Sequence, residues 1–485
     1  MTARRDLRFA VVGAGMAGIL SAVTLRQAGM EDFTVYEKAD GLGGTWHANT
    51  YPGLTCDVPS HLYCYSFALN PEWSHMYPPG EEIQQYFADV AERFGVMPHI
   101  RFGDEVVRCE FGSGRWQLTT AGGHHDEVDV VIAATGVLHH PQYPEIEGLE
   151  SFGGAVFHSS QWDHGVEIEG RRVGIVGTGS TASQIVSAIT ARVERLVLFQ
   201  RTPQWIMPAA NPAFSAEQKA AFRDDHALIE EIRTNASQVY DTFSGAIVDA
   251  ASPMMGIIED ACLANLEDNV EDPALRERLR PDYRAGCKRL IVSGGFYGAI
   301  QSRNAQLVTD AIDHVEPAGV RTVDGTLHEL DVLVLATGFK VNAFVRPMSV
   351  IGRDGRTLDQ DWAQRPEAYL SISVPGYPNF FMLNGPNGPV GNFSLVQVAE
   401  LQLGYIMQLV ERLRAGDCKE ISAARPALDE FELARVEAAK KTVWSSGCRS
   451  WYLDDRGIPA VWPWPFQRFR DEMATPRWDA YELRG

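Results

Sequence analysis

Three glycines near the amino terminus have the spacing of a turn that can hold a phosphate. Gly13, Gly15 and Gly18 follow the short apolar run Phe9 to Val12 in the pattern GxGxxG. Apolar residues then recur three and four positions apart, which predicts a strand, a tight turn and a helix whose N-terminus faces a pyrophosphate. A second predicted strand ends in Glu37, 24 residues beyond Gly13. This fold places an acid there on a ribose 2′-hydroxyl, so we expect a dinucleotide site.

The same pattern returns once, with a change of charge. Gly177 and Gly179 follow the predicted strand Val173 to Val176, and Ala182 takes the third small position. The next strand ends in Arg201, again 24 residues beyond the first glycine. A carboxylate would repel a 2′-phosphate, whereas a guanidinium pairs with it, although a solvated arginine at a strand end would look the same. The first site therefore predicts an unphosphorylated ribose, as in FAD, and the second predicts NADP.

Two further apolar runs end alike. Residues 128–136 (VDVVIAATG) and 331–338 (DVLVLATG) are predicted strands that each finish in Ala-Thr-Gly, the second at Thr337 and Gly338. A glycine at a strand end allows close approach to a cofactor, although a plain buried strand would have the same pattern. Between Pro208 and about Tyr283 the strand pattern gives way to helical periodicity. The fold class predicted is α/β, with two Rossmann-like dinucleotide-binding domains, for FAD and NADP, and a helical insertion in the NADP domain.

Composition and net charge limit the partners that this protein is expected to have. The 485 residues include 43 Lys and Arg against 63 Asp and Glu, a net charge of −20. Such a surface disfavours nucleic acid and anionic membranes as partners, and no apolar run reaches the roughly 20 residues that span a bilayer. The seven cysteines are scattered without a CxxC pair, so we expect reduced thiols and a cytoplasmic location. We expect no metal site, because His124–His125 and His139–His140 lie in loop-like stretches where neighbouring side chains point apart.

Two longer motifs resemble those of a known family. The segment FGGAVFHSSQWD contains Phe152, Gly154, His158, Trp162 and Asp163, in the pattern FxGxxxHxxxW followed by Pro or Asp. Upstream, GGTWHANTYPGLTCD resembles a second motif of the same group. Over nearly its whole length the sequence is therefore similar to the class B flavin-dependent monooxygenases, and within them to the type I Baeyer–Villiger monooxygenases.

The resemblance implies an activity and a catalytic pair. The activity is an FAD- and NADPH-dependent insertion of one oxygen atom from O2 next to a ketone carbonyl, giving an ester or lactone through a peroxyflavin. Arg289, in its Lys-Arg context, resembles the family's catalytic arginine, whose charge keeps the peroxide anionic. Asp57, the last residue of YPGxxxD, would pair with Arg289 and hold it in place.

The resemblance also implies cofactor contacts. Lys288, Arg201 and Thr202 resemble contacts to the 2′-phosphate of NADP, and Trp451 resembles the tryptophan of a mobile loop over the nicotinamide nucleotide. His158, in a hinge between the domains, is better assigned to conformational coupling than to proton transfer. The expected cofactor-binding residues are Gly13, Gly15, Gly18, Glu37, Gly44, Thr45, Trp46, Asp57, Tyr63, Gly177, Gly179, Ser180, Arg201, Thr202, Lys288, Thr337, Gly338, Asn387 and Trp451.

The implied organisation interrupts each domain once. The FAD-binding domain would comprise residues 1–140 and 339–485, and the NADP-binding domain residues 141–207 and 286–338, with the helical insertion at 208–285. Ser215 and Gln218 predict a capping box at the start of an insertion helix. Apolar residues at 254, 255, 257 and 258 would either line the substrate cleft or pack in the core.

Two other functions are compatible with the sequence. A flavin monooxygenase acting on nitrogen or sulfur nucleophiles would use the protonated hydroperoxide, and a non-enzymatic flavoprotein would need neither Arg201 nor Arg289. Leu290 stands where many relatives have proline, and Phe296–Tyr297 replaces the usual two tyrosines, which leaves the identity of the ketone open. The partners expected are a small-molecule ketone and O2, and a monomer and a dimer both remain open.

Overall fold

Two parallel five-stranded sheets form the framework of the chain. The structure is a computed structural model and describes residues 4–391 and 393–485. The strands within these residues are β1 (Phe9–Val12), β2 (Phe33–Tyr36), β3 (Ile100–Arg101), β4 (Val106–Gly112), β5 (Arg115–Thr120), β6 (His125–Val128), β7 (Val130–Ala133), β8 (Ala155–His158), β9 (Arg172–Val176), β10 (Arg195–Phe199), β11 (Ile206–Met207), β12 (Ile291–Val292), β13 (Ala305–Val308), β14 (Ile312–Glu316), β15 (Gly319–Thr322), β16 (Leu327–Glu329), β17 (Val332–Leu335), β18 (Ser349–Ile351), β19 (Phe380–Met382), β20 (Glu420–Ala423) and β21 (Tyr481–Arg484).

The α-helices alternate with the strands along the chain, and four consecutive helices form the insertion. Within the described residues they are α1 (Met16–Gln27), α2 (Thr45–Ala48), α3 (Gly80–Arg93), α4 (Ser180–Ile189), α5 (Ala216–Asp224), α6 (His226–Val248), α7 (Pro253–Asn269), α8 (Pro273–Leu279), α9 (Phe296–Ile300), α10 (Leu358–Asp361), α11 (Leu395–Ala415), α12 (Arg425–Ala439) and α13 (Phe466–Ala474). No helix in this part of the chain is long and apolar enough to cross a membrane.

The first sheet has the order β19-β7-β1-β2-β3, with parallel pairing throughout. Strand β1 is buried along its whole length, as expected when helices cover both faces of a parallel sheet. On α1, the apolar positions Ile19, Ala22 and Val23 are fully buried, so the helical periodicity predicted the correct face. Helices α3 and α11 pack against α1.

The second sheet has the order β13-β10-β9-β17-β8 and is also parallel. Helices α5 to α8 follow β10 and precede β13, so they interrupt this sheet as the sequence predicted. The whole second sheet in turn lies between β7 and β19 of the first sheet. The predicted capping box at Ser215 and Gln218 is present at the start of α5. Met255 and Ile258 pack in the core, and Ile257 is exposed, so this group does not share one lining surface.

A glycine in each nucleotide turn touches the end of the neighbouring central strand. Gly13 has a φ of 105°, and a Cβ there would lie 2.6 Å from the carbonyl oxygen of Ala134. Gly177 has a φ of 113°, and a Cβ there would lie 2.3 Å from the carbonyl oxygen of Ala336. Both alanines begin the Ala-Thr-Gly segments. The repeated motif therefore marks where a strand end meets a glycine turn, and a larger residue at either glycine would clash and strain the backbone.

Replacing Gly177 with alanine should destabilise the protein by on the order of 2 kcal/mol or more, since the new methyl group meets a rigid carbonyl and the φ is unfavourable. Gly404 in α11 is the matched control, because a Cβ added there would have no atom within 4 Å and helix interiors favour alanine. Thermal melting followed by circular dichroism should show a lower midpoint for Gly177→Ala and an unchanged or higher one for Gly404→Ala. Equal midpoints would contradict the close approach.

Candidate active site

An ion pair joins two segments that are far apart in sequence. Arg289 lies just before β12, and Asp57 lies in the loop after α2. Nε and Nη2 of Arg289 donate to Oδ2 of Asp57 at 2.9 and 2.5 Å, and Nη1 donates to the carbonyl oxygen of Gly391 at 3.3 Å. The side chain of Arg289 is 35% exposed and that of Asp57 is 19% exposed. The structure therefore brings the expected pair together and leaves part of the guanidinium accessible.

The surroundings of the pair keep the arginine charged. Burial alone would lower the pKa of Arg289, but the carboxylate of Asp57, with smaller contributions from Tyr452 and Tyr240, raises it well above its ordinary value. Burial also raises the pKa of Tyr452 to about 12, so its phenol stays neutral near pH 7. The site thus provides a permanent cation beside neutral aromatic groups, which suits the stabilisation of negative charge on a reacting oxygen.

The turn between β1 and α1 fits the pyrophosphate of a dinucleotide. Helix α1 begins after Gly15 without a side-chain cap and without an acid in its first turn, so its first N–H groups and its dipole are available to an anion. Glu37 is buried and accepts the N–H groups of Ala14 and Ala39 at 2.7 and 2.8 Å. Each oxygen of Glu37 retains a lone pair for a ribose hydroxyl. Glu37 therefore fixes the glycine turn in addition to its expected ribose contact.

The second FAD motif places aromatic side chains near this turn. Gly44 comes within contact distance of Gly15, because a Cβ on Gly44 would lie 2.9 Å from the Cα of Gly15. Thr45 and Trp46 then open α2, and the indole Nε1 of Trp46 donates to the hydroxyl of Tyr63 at 3.1 Å. The motif therefore begins directly beside the first nucleotide turn, which is compatible with the predicted FAD contacts of Gly44, Thr45, Trp46 and Tyr63.

The turn between β9 and α4 fits a phosphorylated coenzyme. Helix α4 begins with Ser180, after Gly179, again without a side-chain cap or an acid in its first turn. Burial, and then the charge of Arg201 beyond β10, lowers the pKa of Lys288, whose Nζ lies 4.9 Å from the centre of the Tyr283 ring. The carbonyl of Thr202 accepts the hydroxyl of Thr178 at 2.8 Å, which fixes this turn. Two like charges that act on each other favour an anion nearby, which suits a 2′-phosphate.

His158 connects the second sheet to the linker that leaves it. Its Nδ1 accepts the N–H of Ser160 at 3.1 Å, so Nε2 carries the proton and donates to the carbonyl of Gly338 at 3.0 Å. Thr337 donates to the carbonyl of Gln142 at 2.6 Å, which joins this linker to the one that enters the sheet. Burial lowers the pKa of His158, which keeps the ring neutral. These contacts suit a residue that couples the two sheets, and they place His158 away from the Arg289–Asp57 pair.

The other residues of the FxGxxxHxxxW motif, and the Asp that follows it, make packing or turn contacts. Phe152 is buried beside the second sheet, and the ring of Trp162 meets that of Phe157 edge-on at 5.0 Å between centres. A Cβ on Gly154 would lie 2.2 Å from the carbonyl of Asp331, and Asp163 accepts the N–H of Gly165 at 2.8 Å. This part of the fingerprint therefore shapes the entry into the second sheet.

The expectation about the neighbouring histidines is wrong for one pair. The rings of His139 and His140 lie 4.0 Å apart between centres, because the chain bends here and is not extended. Their Nε2 atoms bond to the carbonyl oxygens of Phe344 and Arg346 at 3.0 and 2.9 Å. Among the described residues, no group of three or more His, Cys, Asp or Glu side chains could hold a metal ion.

Comparisons with known proteins identify the family. Residues 6–214 match the model of the flavin-binding monooxygenase-like family. A monooxygenase of Mycobacterium tuberculosis without a characterised activity is 47% identical over 98% of this chain and 96% of its own length. A Baeyer-Villiger monooxygenase of Streptomyces coelicolor is 40% identical over 99% of this chain and 92% of its own length. The chain belongs to the Baeyer–Villiger monooxygenase family.

A solved structure agrees with this assignment. The crystal structure of OTEMO in complex with FAD and NADP matches with a TM-score of 0.89 and 26% identity, over 99% of this chain and 100% of that chain. The predicted fold class, the predicted FAD and NADPH cofactors and the predicted NADPH-dependent flavin monooxygenase are confirmed. The two nucleotide turns remain the predicted sites for FAD and NADPH.

Sequence reasoning missed two tyrosines near the Arg289–Asp57 pair. Tyr240, in the insertion helix α6, donates its hydroxyl to the backbone carbonyl of Asp57 at 2.8 Å. Tyr452 is near enough to Arg289 for the charge of the arginine to lower its pKa against the effect of burial. The helical periodicity of the insertion could not single out Tyr240, since its partner is distant in sequence. Tyr452 had one signal, its position next to Trp451, which is 38% exposed and whose ring is tilted by 39° to that of Tyr452, with 4.0 Å between ring centres.

Asn387, expected near the flavin, has an unused acceptor. Its side-chain amide donates to the carbonyl of Ala460 at 3.4 Å, whereas its Oδ1 is buried and has no hydrogen-bond partner within the described structure. A buried amide oxygen usually has a donor. The position of Asn387 therefore fits a contact to a bound cofactor.

The expectation of reduced thiols is wrong for two of the seven cysteines. Cys287 and Cys448 form a disulfide with 6.3 Å between their Cα atoms. The other five cysteines are buried and free. Sequence spacing gave no sign of this pair, because the two cysteines are 161 positions apart. The bond joins the segment of Arg289 to the carboxy-terminal segment of Trp451.

Peptide mapping of the unreduced monooxygenase should recover a linked pair of peptides containing Cys287 and Cys448. A reductant should lower the wild-type melting midpoint, corresponding to on the order of 2–5 kcal/mol for a long closed loop. Cys448→Ala should start lower and lose its sensitivity to the reductant. Cys262→Ala, which removes a buried free thiol from the same apolar cluster, should keep that sensitivity. Seven titratable thiols in the denatured, unreduced protein would exclude the bond.

Proposed function

We propose that this monooxygenase converts a ketone to an ester or lactone, with Arg289 as its catalytic residue. The carrying observation is that Arg289 donates two hydrogen bonds to Asp57, in the segment that follows the glycine turn of the first sheet. The preceding residue, Lys288, is near enough to Arg201 for the charge of that arginine to lower the pKa of Lys288. In this proposal one short segment supplies a cation for the coenzyme and a permanent cation for oxygenation.

Arg289 and Asp57 would act as a unit. When bound, FAD takes a hydride from NADPH and activates O2 for transfer to the ketone. Asp57 accepts from Nε and Nη2, which fixes the plane of the guanidinium and leaves some of its five N–H donors for a substrate oxygen. The fixed charge then stabilises the negative charge that develops on the reacting oxygen atoms. A lysine would lack the planar fork that contacts Asp57 and the substrate together.

The domain division remains a proposal that the sheets support. We assign residues 1–140 and 339–485 to the FAD-binding domain, and residues 141–207 and 286–338 to the NADP-binding domain. The first sheet draws its strands from both parts of the former, and the second sheet from both parts of the latter. Residues 208–285, the insertion, contain α5 to α8. The cytoplasmic location stays a prediction from the sequence.

Arg289→Ala should separate reduction from oxygenation. We expect the variant to bind FAD and to be reduced anaerobically by NADPH at close to the wild-type rate, because Arg201 and Lys288 remain. Formation of ester or lactone from a panel of linear, cyclic, aryl and steroidal ketones should fall on the order of a hundredfold or more, since a preorganised charge is lost.

The control for this variant is Arg284→Ala, which removes a nearby arginine whose Nε donates to Glu259 at 2.6 Å. Arg284→Ala should keep both rates. Wild-type ester formation in Arg289→Ala would remove this residue from the mechanism.

Arg201→Ala should weaken the use of NADPH selectively. Loss of a charge-assisted contact to the 2′-phosphate should raise the KM for NADPH about tenfold or more, and should change the KM for NADH little, since NADH lacks that phosphate. Arg195→Ala is the matched control, because Arg195 is an exposed arginine at the other end of the same strand. Steady-state flavin reduction with both coenzymes measures the effect. Equal changes for NADPH and NADH would contradict the assignment.

A further inference from the structure

Tyr452 lies near Arg289 and rests on the backbone of Gly391. Its side chain is 2% exposed and packs in the apolar cluster that contains Trp444. Burial raises the pKa of Tyr452 to about 12, and the positive charge of Arg289 opposes that rise. The phenol is therefore a neutral, buried hydroxyl near the guanidinium.

The backbone at Gly391 is shaped to receive this hydroxyl. A Cβ on Gly391 would lie 1.9 Å from the Oη of Tyr452, so the hydroxyl rests directly on the glycine. The carbonyl of the same glycine accepts Nη1 of Arg289 at 3.3 Å. Tyr452, Gly391 and Arg289 therefore form one contact group, in which the phenol packs on the residue that holds Nη1.

The main chain around Tyr452 is fixed independently of its side chain. Four residues earlier, Cys448 is bonded to Cys287, which lies two residues before Arg289. The carbonyl of Tyr452 accepts the N–H of Ala460 at 2.7 Å. These restraints hold the segment beside Arg289 whether or not the phenol is present. The hydroxyl is thus available for a role other than holding the loop.

The two aromatic residues of this segment face different surroundings. Trp451 is 38% exposed, whereas Tyr452 is 2% exposed. A coenzyme that contacts Trp451 would therefore bind next to the following residue, Tyr452, whose side chain lies near Arg289.

We propose that Tyr452 is a positioning residue that fixes Arg289 through its hydroxyl, together with Asp57 and Gly391. The proposal rests on the proposed role of Arg289 in ketone oxidation. Without the hydroxyl, the guanidinium keeps its carboxylate partner but gains freedom on the opposite side. Oxygen transfer should then suffer more than flavin reduction, because reduction does not depend on where Arg289 points.

The test is Tyr452→Phe in the FAD-loaded enzyme, which removes one oxygen and keeps the ring. We expect anaerobic reduction by NADPH within about twofold of wild type, and ketone oxygenation lower by about tenfold, because a less firmly placed guanidinium stabilises the reacting oxygen less well. The fraction of NADPH consumed that appears as hydrogen peroxide should rise. Unchanged oxygenation and peroxide fractions would overturn the proposal, and so would an equal loss of reduction and oxygenation.

Tyr377→Phe is the matched control. Tyr377 is also buried, and its hydroxyl donates to a carboxylate oxygen of Asp361 at 2.8 Å, remote from Arg289. Its loss removes a comparable hydrogen bond, so Tyr377→Phe can lower the melting temperature but should leave the peroxide fraction at the wild-type value. A raised peroxide fraction in the control would attribute the effect of Tyr452→Phe to general loosening, and would overturn the proposal.

A double-mutant cycle gives a readout that needs no ketone. Urea unfolding of wild type, Tyr452→Phe, Arg289→Ala and the double variant should show that the tyrosine substitution matters much less once Arg289 is absent. Additive effects would overturn the contact. If wild type oxidises no ketone, the proposed function fails, and this cycle still decides whether Tyr452 holds Arg289.

Discussion

The ion pair between Arg289 and Asp57 is the interaction on which the rest of the site depends. Removing one partner of this partly buried pair would leave the other charge without its hydrogen-bonded partner. The two residues are 232 positions apart in sequence, so the fold of the chain between them must bring the guanidinium nitrogens within 2.5–2.9 Å of the carboxylate oxygen. Two neighbouring groups stabilise this placement: the hydroxyl of Tyr240 donates to the backbone carbonyl of Asp57, and the carbonyl of Gly391 accepts Nη1 of Arg289. The pair is therefore a constraint on the fold in addition to its proposed role in catalysis.

The nested arrangement of the sheets explains how the two halves meet. Because the second sheet lies within the sequence of the first, the chain crosses between them once after β7 and once after β17. Both crossings start at an Ala-Thr-Gly segment, and they are bonded together through Thr337 and Gln142, and through Thr135 and the carbonyl of Phe344. Two linkers held side by side restrict the relative movement of the sheets more than one would. His158 is hydrogen-bonded to Gly338, in the second linker, so a movement of one sheet relative to the other would change the contacts of this residue.

What the sequence could predict was set by local physical rules. The glycine turns follow from backbone geometry, and the change from Glu37 to Arg201 follows from the charge of a phosphate, so both nucleotide sites can be identified without a structure. The buried face of α1 and the capping box of α5 follow from equally local patterns. Contacts between residues that are far apart in sequence leave no such local pattern. The disulfide of Cys287 and Cys448 belongs to this second class, and so does the hydroxyl of Tyr240, since neither spacing nor periodicity relates the partners.

The helical insertion contacts the segment that carries Asp57. Besides the bond from Tyr240, helix α6 sends Arg233 into the loop after Asp57, where Nη1 donates to the carbonyl of His61 at 2.7 Å. At its other end, Asp241 pairs with Arg470 of α13 at 3.0 Å. The helix is therefore held between the loop of Asp57 and the carboxy-terminal region. Its neighbour α7 is less constrained on one face, where Ile257 is 60% exposed. Substitutions on that face of α7 are consequently less restricted, whereas a change on the buried face of α6 would move the backbone that positions Asp57, and with it Arg289.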